Sequence, residues 1–311
     1  MTGAVAKLFW LRVLSAAIVL TTCAGITNAV GVIVDGRPLH LHLPAGYNGS
    51  QPLPLVVLIH GLGVDSTMQE SYMRVKAESD ARGFIYAYPD GTRGPVRQFW
   101  NGANCCQDPV TPPVDDVGYL DHIIQYVQDN YNVDRERIYL IGHSNGAYMA
   151  SRYACERSGY SGVRSPQIAA IARLAGGQYF EPTTCGTPGG GSVAVLHIHA
   201  TFDEITPYAA PLQIPFIPIP APLPAGTQTV ANWVKRNACV GPGYPLPSID
   251  LVSDLAGTET SRWRFPCPFA PVEFWTIHGG AHTPNFYQPG EPGRTFGAQV
   301  LDWLLVQKRK L

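Results

Sequence analysis

Charge is scarce in this chain: 14% of its 311 residues are Asp, Glu, Lys or Arg, and the formal net charge is −1. No basic face is on offer for nucleic acid, and no acidic tail is present. A ligand for such a surface is expected to be uncharged or small. Long apolar runs are missing too, since the longest near the N-terminus, Val13 to Leu20, falls short of the roughly 20 residues that a membrane span requires. There is no CxxC pair and no compact Cys/His cluster with zinc spacing, so neither a metal nor an organic cofactor is expected. Internal repeats and Ser/Thr- or Gly/Ser-rich linkers are likewise lacking, which leaves one large folding unit.

The same short run has a different reading. Lys7 and Arg12 precede it and Thr27-Asn28-Ala29 follows with small residues, so residues 1–29 read as an export signal and 30–311 as a single mature domain. Leu20-Thr21-Thr22-Cys23 resembles a lipidation site, but threonine before the cysteine makes an anchor at Cys23 the less favoured reading. Either way the chain is expected outside the cytoplasm, secreted or periplasmic, with no membrane span in its mature part. Six cysteines then remain, an even number in an exported chain, and disulfides are expected. Proximity in sequence pairs Cys239 with Cys267 and sends Cys105 and Cys106 to Cys155 and Cys185 in an order left open.

Gly142-His143-Ser144-Asn145-Gly146 carries the chemistry. A serine flanked two residues away by glycines is how a nucleophile elbow is written, a sharp strand-to-helix turn that lifts the hydroxyl off a sheet. With 32 glycines in the chain the five letters alone are weak, so the flanks must decide. Arg137 to Ile141 is a short β-branched and aromatic run and reads as a buried strand, while Ala147 to Ala154 holds good helix formers and no proline. Strand, turn and helix stand in the required order.

Around the elbow, strands and helices alternate. Gly31 to Val34 and Leu39 to Leu43 read as an opening hairpin, and Leu53 to Ile59 as the first strand buried on both faces. Further strands are expected at Phe84 to Tyr88, Ile168 to Ala175, Val193 to His199 and Val272 to Ile277. Helices are expected from Asp65 or Ser66 to Arg82, from Asp115 or Asp116 to Asn130, from Gln228 to Asn237 and from Gly297 to Gln307. This order implies a mostly parallel, doubly wound α/β sheet flanked by helices. The stretch from Pro207 to Pro224 is too rich in proline for a helix or central strand and reads as an insertion, either a surface spacer or a lid.

A serine hydroxyl needs a base, and the base needs a group to orient it. Asp203 follows the strand ending at His199 by a short loop and is the preferred acid, with Glu204 its near competitor. His278 and His282 both follow the last strand, and His282, beyond Gly279-Gly280-Ala281, is the preferred base. His197 and His199 lie within a strand and read as hydrogen-bonded core residues, and His143 as part of the elbow backbone. Oxyanion donors are expected from the Asn145 N–H and from the Leu62 N–H in His60-Gly61-Leu62-Gly63.

These segments resemble a secreted esterase family of the α/β-hydrolase superfamily that includes extracellular polyhydroxybutyrate depolymerases and feruloyl esterases. The likeness rests on LVVLIHG at 55–61, FWNGANCC at 99–106, VDDVGYL at 114–120, YLIGHSNGAYMA at 139–150, LHIHATFDEITPY at 196–208 and IHGGAH at 277–282. It implies nucleophile Ser144, acid Asp203 and base His282, puts Trp100 and Tyr208 near the substrate, and suggests a small-molecule or polymeric ester as the partner. Thr283-Pro284-Asn285-Phe286 departs from the Trp-Pro-Gly step usual after the family's catalytic histidine, so the reaction class transfers better than the substrate. An acyltransferase on the same scaffold and a non-catalytic binding protein that keeps the fold are the alternatives, the latter resting on fold alone.

Overall fold

Leu53–Ile59 (β3) is apolar on both sides because it is covered on both sides, and the two cores of the molecule meet at this strand. Leu55, Val57 and Ile59 point into one core, Val56 and Leu58 into the other, as the two-residue period of a strand demands. Each such fully buried side chain contributes about 1.5–3 kcal/mol relative to exposure. The computed structural model describes residues 29–103, 105–107, 111–157, 168–178, 193–209, 225–287 and 295–309. Residues 1–28 of the expected export signal therefore lie outside the described residues, as does the proline-rich segment beyond Ala209.

The opening hairpin is Ala29–Val34 (β1) and Arg37–His42 (β2), turning through Asp35 and Gly36, both at positive φ. After β3 come Ser66–Met73 (α1), Val75–Arg82 (α2), Ile85–Pro89 (β4) and the two-residue strands Thr92–Arg93 (β5) and Gln98–Phe99 (β6). Asp116–Asn130 (α3), Val133–His143 (β7), Asn145–Arg157 (α4), Ala170–Leu174 (β8), Ala194–Ala200 (β9) and Gly226–Arg236 (α5) follow. Tyr244–Ile249 (β10), Thr260–Phe265 (β11), Val272–Ile277 (β12) and Phe296–Leu304 (α6) complete the order.

Ten strands form one sheet in the order β1-β2-β4-β3-β7-β8-β9-β12-β11-β10. From β4 to β12 all neighbours run parallel, and the outer pairs on both sides are antiparallel. Helices α3, α4 and α5 contribute to the core on one face, and α2 and α6 to the core on the other, so the sheet is doubly wound as its alternating pattern implies. The parallel strands bring the C-terminal ends of β3, β7, β9 and β12 to one edge, where open α/β sheets form their crevice.

Two expectations need correction. The helix expected from Asp65 or Ser66 to Arg82 is broken at Arg74, which sits at φ 54°. There the chain turns under Gly297 of α6, where an added Cβ would come within 3.2 Å of the Met73 carbonyl. Strands β10 and β11 were not foreseen, because Pro245 and Pro247 disguise β10. It is the outermost strand of the sheet, where proline is tolerated.

Candidate active site

The elbow is a consequence of crowding. Ser144 adopts φ 51°, a left-handed conformation that L-residues rarely take, between the end of β7 and the start of α4. A Cβ on Gly142 would lie 2.3 Å from the Gly146 carbonyl oxygen, and one on Gly146 would lie 2.1 Å from that of Ile59. Only glycine fits at either place, and the tight turn they permit lets the Ser144 N–H donate to the Leu174 carbonyl on neighbouring β8 at 2.9 Å.

Asp203 arrives on the loop after β9 and His282 on the loop after β12. Those strands pair from Val272 opposite Val195 to Ile277 opposite Ala200, and the Phe202 N–H then donates to the Gly280 carbonyl at 2.9 Å, which ties the two loops together. The result brings three of the expected residues into line. His282 Nε2 lies 2.9 Å from Ser144 Oγ, and His282 Nδ1 lies 2.9 and 3.0 Å from the two Asp203 carboxylate oxygens. An ionised carboxylate only accepts, so Nδ1 carries the proton and Nε2 presents a lone pair to the serine hydroxyl.

The competitors sit elsewhere. Glu204 accepts from the His282 backbone N–H at 3.1 Å, away from the ring. His278 is exposed, with Nε2 2.8 Å from Ser261 Oγ.

Asp203 is itself surrounded by donors. Its Oδ1 accepts from the backbone N–H groups of Ile205 at 2.9 Å and Thr206 at 2.7 Å, and its Oδ2 from Thr206 Oγ1 at 2.8 Å. His199 Nε2 stands 3.3 Å from Oδ2. Burial alone would raise this carboxyl's pKa, but hydrogen bonds from His199 and His282 prevail and hold it well below the usual carboxylate range. His197 and His199 are fully buried and hydrogen-bonded to each other at 3.2 Å, as expected of core residues. Thr206 and His199 were not read as partners of the acid. Asp203-Glu204-Ile205-Thr206 nevertheless has the spacing at which a side chain closes on an amide three residues ahead.

The loop after β3 is fixed by the side chains of His60 and Gln69. His60 Nδ1 donates to the Gly61 carbonyl at 2.7 Å and its Nε2 accepts from the Gly91 N–H at 2.8 Å, while Gln69 Oε1 accepts from the Gly61 N–H at 2.9 Å. Leu62, next in line, lines the same cleft as Ser144 and His282. Among the described residues its N–H bonds no other group. Asn145 is the first residue of α4, where amides have no preceding turn to bond. His143 Nε2 reaches the His282 carbonyl at 3.3 Å and so props the loop that carries His282.

Trp100 and Tyr208 do not line the cleft. Trp100 is fully buried; its backbone N–H donates to Asn145 Oδ1 at 2.7 Å and its carbonyl accepts from Asn145 Nδ2 at 2.9 Å, while its ring stacks with Tyr119. It braces the elbow helix rather than meeting a ligand. Tyr208 turns inward instead, its hydroxyl 3.0 Å from Thr276 Oγ1 and its ring stacked on Phe274.

Disulfide pairing is half as expected. Cys239 joins Cys267, but Cys105 bonds its neighbour Cys106 instead of a distant partner. Adjacent cysteines close the smallest ring two such residues can make, and Cys106 takes φ 80° within it. Cys155 is also disulfide-bonded, and Cys185 lies outside the described residues.

The cleft is of about 500 Å³, opens at the carboxyl edge of the sheet, and is walled mainly by apolar side chains. No family model matches the chain. It is similar to feruloyl esterase D of Neurospora crassa, 25% identical over 282 residues, covering 86% of this chain and 81% of that protein. Feruloyl esterase B of Piromyces equi is 25% identical over 247 residues, and the match spans 79% of this chain but only 42% of that longer protein. Among solved structures, the acetyl xylan esterase from Aspergillus awamori superposes with a TM-score of 0.60 at 13% identity, covering 89% of this chain and 98% of the other. The chain has the α/β-hydrolase fold that this esterase has.

Several histidines are held neutral by burial. Desolvation, reinforced by the facing His282, pushes the His143 pKa down to about 3, and desolvation also lowers those of His60 and His197. Unfolding releases these rings to titrate near 6.5, so between that pH and the folded value the unfolded state binds more protons and stability falls as pH falls. The melting temperature should therefore drop steadily from pH 7 to pH 5, with uptake of up to about three protons on unfolding from these rings. A flat profile with no proton uptake in calorimetry would contradict the neutral assignment.

Proposed function

We propose that this protein is an exported serine carboxylesterase that works through an acyl-enzyme. Ser144 Oγ attacks the ester carbonyl as its proton passes to His282 Nε2, and Asp203 stabilises the imidazolium that forms. The negative charge developing on the carbonyl oxygen is met by the N–H groups of Leu62 and Asn145. Collapse expels the alcohol, which takes the proton from His282. A water molecule deprotonated by the same ring then attacks the acyl-serine, releases the acid and restores the hydroxyl.

The observation that carries this reading is the unbroken line from Ser144 Oγ through both ring nitrogens of His282 to Asp203, each contact about 3 Å or less. Aryl-acyl esters of the feruloyl kind, free or attached to a polymer, are the proposed substrates, on the strength of an apolar cleft and of relatives that bear that name. Hydroxybutyrate esters are the competing class within the same chemistry. The disulfides support export to an oxidising compartment. A panel of feruloyl, acetyl-xylan and hydroxybutyrate esters should give the highest kcat/KM for the first. A fluorophosphonate should label Ser144, as located by peptide mass; a protein that hydrolyses no ester and takes up no label there would end the proposal.

A further inference from the structure

We propose that the Cys105–Cys106 disulfide is a substrate-contacting wall of the cleft and selects a planar aromatic acyl group, an inference that rests on the esterase reading of that cleft. Both cysteines line the same space as Ser144 and His282. Cys105 is 1% exposed and packs on Tyr148 of α4, while Cys106 is half-buried and, like Cys105, lines the cleft.

The loop that carries the pair is fastened to the catalytic helix. Asn145, next to the nucleophile, bonds both backbone groups of Trp100, and Arg152 Nη1 donates to the Asn101 carbonyl at 2.8 Å. Buried Asp116 accepts from the Asn101 N–H at 2.6 Å. Gly102 meets α4 so closely that a Cβ there would lie 2.8 Å from that of Tyr148. A wall fixed in this way keeps its place relative to Ser144.

Its chemistry indicates what it meets. Two bonded sulfurs form a polarizable apolar surface with no freedom to reorient, and sulfur packs favourably against aromatic rings. Met68 and Tyr72 of α1 line the cleft as well, and α1 and α4 reach it from opposite faces of the sheet. A slot bounded by sulfur and tyrosine on both sides suits a flat ring better than a flexible aliphatic chain.

A protection experiment tests this on the wild-type protein. A water-soluble trialkylphosphine cleaves a disulfide to two thiols and ends as the phosphine oxide, with its oxygen from water; differential alkylation and peptide mapping then give a rate for each bridge. Saturating 4-hydroxycinnamate should slow reduction of Cys105–Cys106 at least fivefold and leave Cys239–Cys267 unchanged, and hexanoate should protect far less. Equal rates with and without the aryl acid, or equal protection by hexanoate, would overturn the proposal. In the Cys105→Ser/Cys106→Ser variant, the ratio of kcat/KM for a feruloyl ester to that for an acetyl ester should fall at least tenfold, and an unchanged ratio would overturn the proposal as well. Protection reads binding alone, so it decides the wall even if the hydrolysis and fluorophosphonate experiments reject the serine mechanism.

Discussion

Ser144→Ala should lower kcat for 4-nitrophenyl acetate hydrolysis by on the order of 10⁴- to 10⁶-fold. The substitution removes one oxygen and disturbs little else. The backbone bonds that shape the elbow, from the Ser144 N–H to Leu174 and from the Ala147 N–H to the Ser144 carbonyl, involve no side-chain atom. Alanine carries the same Cβ and meets the same left-handed φ of 51°. On the proposed mechanism, what should remain after the change is the contribution of the Leu62 and Asn145 amides and of the apolar cleft, which would still bind the ester and polarise its carbonyl. Removing His282 as well should add little, because nucleophile and base act as a unit and neither works alone. A Ser144→Ala protein that kept a tenth of the wild-type rate would show that another group attacks the ester.

Much of this site was legible because each proposed role imposes a local sequence demand. The elbow requires glycines two residues either side of the serine, and Gly142 and Gly146 stand where a side chain would strike Gly146 and Ile59 backbone. Asp203 and His282 follow apolar strands by a few residues, since only strand ends reach the carboxyl edge of a parallel sheet. Buried strands such as β3 were legible for a related reason, as burial on both faces leaves no polar position.

Less could be read where a residue's role depends on what the fold brings to it. Nothing local in Trp100 separates a ring that meets a ligand from one that stacks on Tyr119 beneath the cleft. Cys105 and Cys106 follow the same logic: elimination by proximity assigns them to distant partners, whereas the backbone, at φ 80° in Cys106, bonds them to each other. Arg74 interrupts a helix whose composition permits continuity, since the constraint comes from α6, more than 200 residues away in the chain.

Asp203→Asn should lower kcat by on the order of 10³- to 10⁴-fold, whereas Glu204→Gln should change it by no more than a few-fold. The carboxylate of Asp203 accepts at both oxygens, from the Ile205 and Thr206 amides, the Thr206 hydroxyl and His282 Nδ1. An asparagine has one carbonyl oxygen for these donors, and the backbone amides claim it; its NH₂ then faces His282. To accept from that NH₂ the ring must give up its Nδ1 proton and carry one on Nε2, the nitrogen 2.9 Å from Ser144 Oγ. A protonated Nε2 cannot take the serine's proton, so attack fails while the cleft stays intact. Glu204 makes a different contact, accepting from the His282 main chain, and a glutamine carbonyl accepts there equally well. Circular dichroism of both variants separates a lost tautomer from a lost fold. Should Glu204→Gln fall as far as Asp203→Asn, the acid of the charge chain would be Glu204, and the loop after β9 would have to swing in the Michaelis complex to bring it to the ring.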